Sequence, residues 1–237
     1  MEIQMKNTAI TLLEICNHIA SHHPEIKEQF LKINPNSTNI NAADMAHFNL
    51  FREWQSRQFS MPCPNFIKQA HVLRQGISNA TWIETGTYLG DTTALLAASG
   101  NQVYTIEPGE NLYDRAVKRF ENAPHVHVIN DLSENVLPKL LPTLSGNVNF
   151  WLDGHFSAGT THKGPIDTPL VEELQAVSDS LRRFEKVVIL IDDIRSCDDL
   201  HSDYNPTYPS LDYLVDWARE NKFSWRVELD SFIAKRI

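Results

Sequence analysis

Four short runs in this sequence end in side chains able to hold a ligand or move a proton. Glu84-Thr-Gly86-Thr87-Tyr-Leu-Gly90-Asp-Thr92 joins an acid to two glycines and several hydroxyls. Val103-Tyr-Thr-Ile-Glu107, Asn149-Phe-Trp-Leu-Asp153-Gly-His155 and Val188-Ile-Leu-Ile-Asp192-Asp193 are apolar stretches that stop abruptly at carboxylates. Apolar runs of this length, rich in Val and Ile, read as buried strands. In open α/β sheets, ligands lie outside the carboxyl ends of the strands, and glycine at the first turn lets backbone approach them. The acids therefore stand where such a fold places its ligand.

The ligand type follows from Glu84. A carboxylate at the mouth of the turn repels a pyrophosphate, and the spacing is G-x-x-x-G where dinucleotide folds use G-x-G-x-x-G. A phosphate-free cofactor with a cationic amino group fits better, and S-adenosylmethionine is of that kind. Glu107 comes twenty-one positions after Gly86, the separation at which an acid reaches ribose hydroxyls. Asp131, after a third apolar run, is placed to accept from an adenine amino group, although Asp after a strand is also ordinary turn chemistry. The candidate cofactor residues are Glu84, Gly86, Thr87, Gly90, Thr92, Glu107 and Asp131.

Asp153, Asp192 and Asp193 end neighbouring strands on this reading, and three ionised acids held close repel unless a cation joins them. Oxygen-only ligation favours Mg2+ or Mn2+. In extended chain Asp153 and His155 share a side, making His155 the candidate general base. Asp192 and Asp193 would face opposite sides unless the chain turns there. His162, Lys163 and Asp167, in the long loop 156–168, are plausible substrate contacts.

These residues need a βαβ scaffold, and from Thr81 onward the texture supplies one. The predicted strands are 81–84, 102–107, 125–129, 148–153, 186–192, Ser224–Leu229 and Phe232–Lys235. Helices are expected over Thr92–Ser99, Leu112–Asn122, Glu134–Leu144 and Pro169–Phe184, the last with Thr168 as N-cap and Pro169 at its first position. A further helix begins after Ser210 as cap. The expected architecture is a Rossmann-like, seven-stranded, mostly parallel sheet with helices on both faces. Residues 1–78 form an N-terminal helical cap, with helices near Ala43–Phe59 and Asn65–Gln75, and residues 79–237 form the catalytic domain.

Composition sets limits on partners. The 237-residue chain has a formal charge of −9 and a pI near 5.5, with no clustered basic stripe. It is expected to bind a small-molecule acceptor and no nucleic acid. The odd set of widely spaced cysteines, Cys16, Cys63 and Cys197, supports neither a disulfide framework nor a zinc knuckle, and reduced thiols fit a cytoplasmic location. No apolar run approaches a membrane span, and the first residues lack a signal-peptide core. A homo-oligomer is left open.

Taken together, Glu84-Thr-Gly-Thr-Tyr-Leu-Gly90, Glu107, Asp153-Gly-His155 and Asp192-Asp193 resemble the class I S-adenosylmethionine-dependent methyltransferases, in particular the metal-dependent macrocin-type sugar O-methyltransferases. The resemblance covers roughly residues 80–237. It implies cofactor binding by Glu84, Gly86, Gly90 and Glu107, and Mg2+ ligation by Asp153, Asp192 and Asp193. Many relatives carry Asp-Gly-Asp where this chain has Asp153-Gly-His155, which moves the base to a histidine. The expected activity is methyl transfer to a hydroxyl of a sugar or polyhydroxylated natural product. A nicotinamide oxidoreductase, a metal hydrolase using the same carboxylates and a non-catalytic cofactor-binding protein are the alternatives.

Overall fold

The computed structural model describes residues 40–98, 101–154, 168–197 and 208–237. The chain divides into two units between Ala70 and His71.

In the first unit, helix α1 spans Ile40–Ser56. Trp54 stands edge-on to Phe59, with ring centroids 5.1 Å apart, and its indole N–H donates to the Ser60 carbonyl at 2.8 Å. Helix α2, Asn65–Gln75, has the predicted bounds and crosses the boundary between the units. Its last turns belong with the sheet for a packing reason. Val72 is buried in the same cluster as Trp82, and a Cβ on Gly76 would lie 2.4 Å from the Trp82 ring. The Asn149 amide pairs with both backbone groups of Ile77, at 2.8 and 2.9 Å.

The second unit is built on strands β1 Thr81–Thr85, β2 Val103–Ile106, β3 Val126–Ile129, β4 Gly146–Leu152, β5 Phe184–Ile191, β6 Ser224–Glu228 and β7 Ser231–Arg236. They form one sheet in the order β3-β2-β1-β4-β5-β7-β6. Strands β1 to β5 pair in parallel, and β7 runs antiparallel between β5 and β6. This is the seven-stranded, mostly parallel, Rossmann-like sheet that the sequence predicts. No helix among the described residues is long and apolar enough to cross a membrane.

Helices α3 Asp91–Ala97, α4 Glu110–Arg119, α5 Ser133–Leu140, α6 Leu170–Ser180 and α7 Leu211–Glu220 cover the sheet. Alternating strand residues show that both faces are covered, as the pleat requires. Ile83, Phe150, Ile189 and Phe232 pack with residues of α5, α6 and α7. Their neighbours Trp82, Trp151, Leu190 and Ile233 pack with Leu96, Ala116 and Phe120 on the other face. Each such side chain contributes roughly 1.5–3 kcal/mol when fully buried.

Several boundaries differ from the prediction. Pro169 is the N-cap of α6 and Leu170 its first residue, so Thr168 does not cap it. The helix stops at Ser180; Leu181–Arg183 form a 3-10 turn and Phe184 already begins β5, because its ring packs edge-on to Phe150. Helix α5 ends at Leu140, and Pro142 lies in the following 3-10 turn, where its missing N–H does no harm. Ser210 does cap α7, its hydroxyl accepting from the Tyr213 N–H.

Candidate functional site

The strand order fixes where a ligand crevice lies. From β1 the chain moves outward through β2 and β3, then crosses to β4 and β5 on the other side of β1. The switch point is thus between β1 and β4. One repeated bond anchors the residues after the strands there. The Gly86 N–H donates to Ile106 at 3.0 Å, Glu107 to Ile129 at 2.9 Å, Asp153 to Thr85 at 3.1 Å and Asp192 to Leu152 at 3.0 Å. Gly86, Glu107, Asp153 and Asp192 therefore stand in a row along one edge of the sheet.

The turn after β1 is built on two left-handed glycines. Gly86 has φ +86°, and a Cβ there would come within 2.5 Å of the Asp153 carbonyl oxygen. Gly90 has φ +80° and caps α3, and a Cβ there would press on the Phe120 ring at 3.0 Å. Gly86 thus brings the turn against the end of β4, whereas Gly90 serves helix packing. Gly86→Ala meets rigid backbone and an unfavourable φ, so a loss of about 1–2 kcal/mol of stability is expected, read by urea denaturation. Native stability in that variant would mean that the β1 and β4 ends are not tightly apposed.

Glu84 lies behind this turn, 1% exposed. Its Oε2 accepts from Thr93 at 2.5 Å and Thr105 at 2.7 Å, while Oε1 is buried with no hydrogen-bond partner among the described residues. Burial pushes its carboxyl up to about 7; the two threonine bonds oppose the shift and the charge of Glu107 adds to it. Thr87 is also turned inward, its hydroxyl sharing a 2.6 Å bond with Thr105, while its N–H donates to Ile106 and its C=O accepts from the Gly90 N–H. Thr92, in the first turn of α3, is half-buried. Thr93 and Thr105 escape sequence reasoning because their partner is nine and twenty-one positions away.

Glu107 is 4% exposed and organises two loops. Its Oε2 accepts from the Tyr88 N–H at 2.8 Å and its Oε1 from the Gly109 N–H at 2.9 Å. Tyr88 holds φ +49°, a strained value for a bulky residue and of the kind that clusters at functional sites. Asp131 is exposed and behaves as a turn residue, its Oδ1 accepting from Leu132 N–H and the Asn135 amide at 2.8 and 2.9 Å. The Asn135 bond, then the Leu132 N–H, hold its carboxyl below the usual range. Its second oxygen is the one left for a ligand.

The acids proposed as metal ligands are divided. The chain does turn after Asp192, since Asp193 has φ +52°, but the turn delivers Asp193 to Arg195, with Oδ1 to Nη1 at 2.8 Å. The same Nη1 pairs with Asp230. Among the described residues no group of three or more His, Cys, Asp or Glu converges to hold a metal ion. Asp153, Asp192 and Asp193 thus do not fit a divalent ion as a set. His155, His162, Lys163 and Asp167 lie outside the described residues. Tyr208, which the sequence reading overlooked, has its phenol pushed up by burial and then by Asp193, Cys197 and Asp153, with Arg195 opposing. Cys197 is a free, buried thiol pushed up to about 12 by burial, which makes it unreactive.

No protein-family model matches the chain, and no curated protein matches it in sequence. Similar solved structures include an rRNA methylase from Streptococcus thermophilus, 14% identical with a TM-score of 0.41 over 74% of this chain and 96% of that one. Fibrillarin from Aeropyrum pernix, with natively bound S-adenosyl-L-methionine, is 12% identical with a TM-score of 0.45 over 72% and 74%. The N-methyltransferase NodS from Bradyrhizobium japonicum is 11% identical with a TM-score of 0.47 over 72% and 94%. Identities this low carry no residue role and no substrate, and the fold itself rests on the strand pairing of this chain.

Proposed function

We propose that this chain is an S-adenosylmethionine-dependent methyltransferase that methylates a hydroxyl of a small molecule at the carboxyl edge of its sheet. The observation that carries the reading is the pair of acids at the switch point. Glu84 is buried beneath the Gly86 turn with one oxygen unpartnered, and Glu107 stands at the end of β2. An acid beneath the first turn disfavours a pyrophosphate there, and Glu107 stands where an acid reaches ribose hydroxyls.

When bound, the cofactor supplies an electrophilic methyl on sulfur. The residues of the chain do the rest. Gly86 allows close backbone approach, and Glu107 holds the ribose hydroxyls. Each carboxylate oxygen can accept more than the single backbone bond described for it. Asp131 receives the adenine amino group through its second oxygen, and Gly90 and Thr92 shape the turn into α3. His155 takes the proton from the acceptor hydroxyl. The Mg2+ that the resemblance implies has no convergent ligand set among the described residues. The charge of −9 supports a small-molecule acceptor over a polyanion.

Glu107→Ala is expected to weaken S-adenosylmethionine binding by at least about 1.5 kcal/mol, the scale for losing a charge-assisted hydrogen bond. Calorimetric titration of both proteins checks this, with circular dichroism confirming that the variant is folded. Unchanged affinity would remove Glu107 from the site.

A further inference from the structure

The acids after β5 pose a charge problem independent of any cofactor. Asp192 and Asp193 are consecutive, Asp153 ends the neighbouring strand, and Asp230 arrives from the turn between β6 and β7. Carboxylates gathered at one sheet edge repel unless a cation lies among them. The cation is part of the chain. Arg195 Nη1 lies 2.8 Å from Asp193 Oδ1 and pairs also with Asp230 Oδ2. Its backbone N–H donates to Asp230 Oδ1 at 3.0 Å, and the Ile194 N–H donates to the Asp230 carbonyl at 3.1 Å.

We infer that Arg195 is a built-in counter-ion, its guanidinium standing between Asp193 and Asp230 where a divalent cation would otherwise be drawn. The backbone turns on both sides of this contact. Asp193 has φ +52°, and Leu229 and Asp230 have φ +48° and +63°, conformations that non-glycine residues adopt at a cost. The two carboxylates are shielded, with side chains 13% and 4% exposed. Tyr208 feels the charges of Asp193, Asp153 and Arg195, which places all three in one neighbourhood. An arginine does not lose its proton in a protein. Unlike a dissociable ion, it offsets one of these negative charges at every working pH and metal concentration.

The test is a Mn2+ titration followed by electron paramagnetic resonance, without cofactor, so its outcome is separate from the methyltransferase reading. The native protein is expected to show no Mn2+ site that depends on Asp193. Arg195→Gln removes this counter-ion and is expected to gain a site at least about tenfold tighter than any weak binding in the native protein. Asp193→Asn added to Arg195→Gln should abolish it. Two results overturn the inference. One is a saturable site in the native protein that disappears in Asp193→Asn. The other is an Arg195→Gln protein, folded by circular dichroism, that binds Mn2+ no better than native. Should Arg195→Gln fail to fold, the native and Asp193→Asn titrations decide alone, an Asp193-dependent site overturning the inference and its absence upholding it.

Discussion

Replacing His155 by alanine is expected to lower turnover by about 10²- to 10⁴-fold while leaving S-adenosylmethionine affinity unchanged, the range for losing a general base. The two residues before it in sequence, Asp153 and Gly154, are held against the end of β1. Asp153 is pinned to the end of β1 through Thr85, and a Cβ on Gly154 would meet the Thr85 side chain at 3.0 Å. An alcohol, with a pKa of roughly 16 like bulk water, is a poor nucleophile. Near-native turnover in His155→Ala, at saturating acceptor, would pass the role to another residue, His162 being the next to test.

The second large effect concerns stability. The Glu84 carboxyl is pushed from an ordinary 4.5 up to about 7 by burial. The folded protein then binds more protons than the unfolded chain between those values. Stability is fully present below about pH 4.5 and falls as pH rises toward 7, by about 3 kcal/mol for this group. Above pH 7 the contribution is flat. Glu84→Gln should remove this slope and raise stability at pH 8, since the buried charge goes and the threonine hydroxyls can rotate to serve the amide. Urea denaturation at pH 5, 6, 7 and 8 checks this, and an unchanged difference between pH 5 and pH 8 in the variant would mean that Glu84 is ionised throughout. A carboxylate that weakens the fold at neutral pH is matched by a ligand bringing positive charge, which connects this stability effect to the proposed cofactor.

The strand ends were legible because apolar runs stop at acids: Leu152 before Asp153, Ile191 before Asp192, Ile106 before Glu107. Hydrophobic burial sets those boundaries, and burial is written in the local sequence. The partners of the acids are not local. Arg195 meets Asp230 across 35 positions, and only the β6–β7 hairpin brings them together. That hairpin is itself hard to read. Leu229 and Asp230 form its two-residue turn at positive φ, where glycine or asparagine is the usual signal, so the sequence reading extended the strand through Leu229. The same holds at α2, where Gln75 reaches Glu228 and Arg226 some 150 positions on.

The most direct measurement of the central claim is a calorimetric titration of the native protein with S-adenosylmethionine and, separately, with NAD. Saturable, near-stoichiometric binding of S-adenosylmethionine, weakened by Glu107→Ala, is expected, with no binding of the pyrophosphate-containing dinucleotide. Binding of NAD with no response to S-adenosylmethionine would contradict that claim.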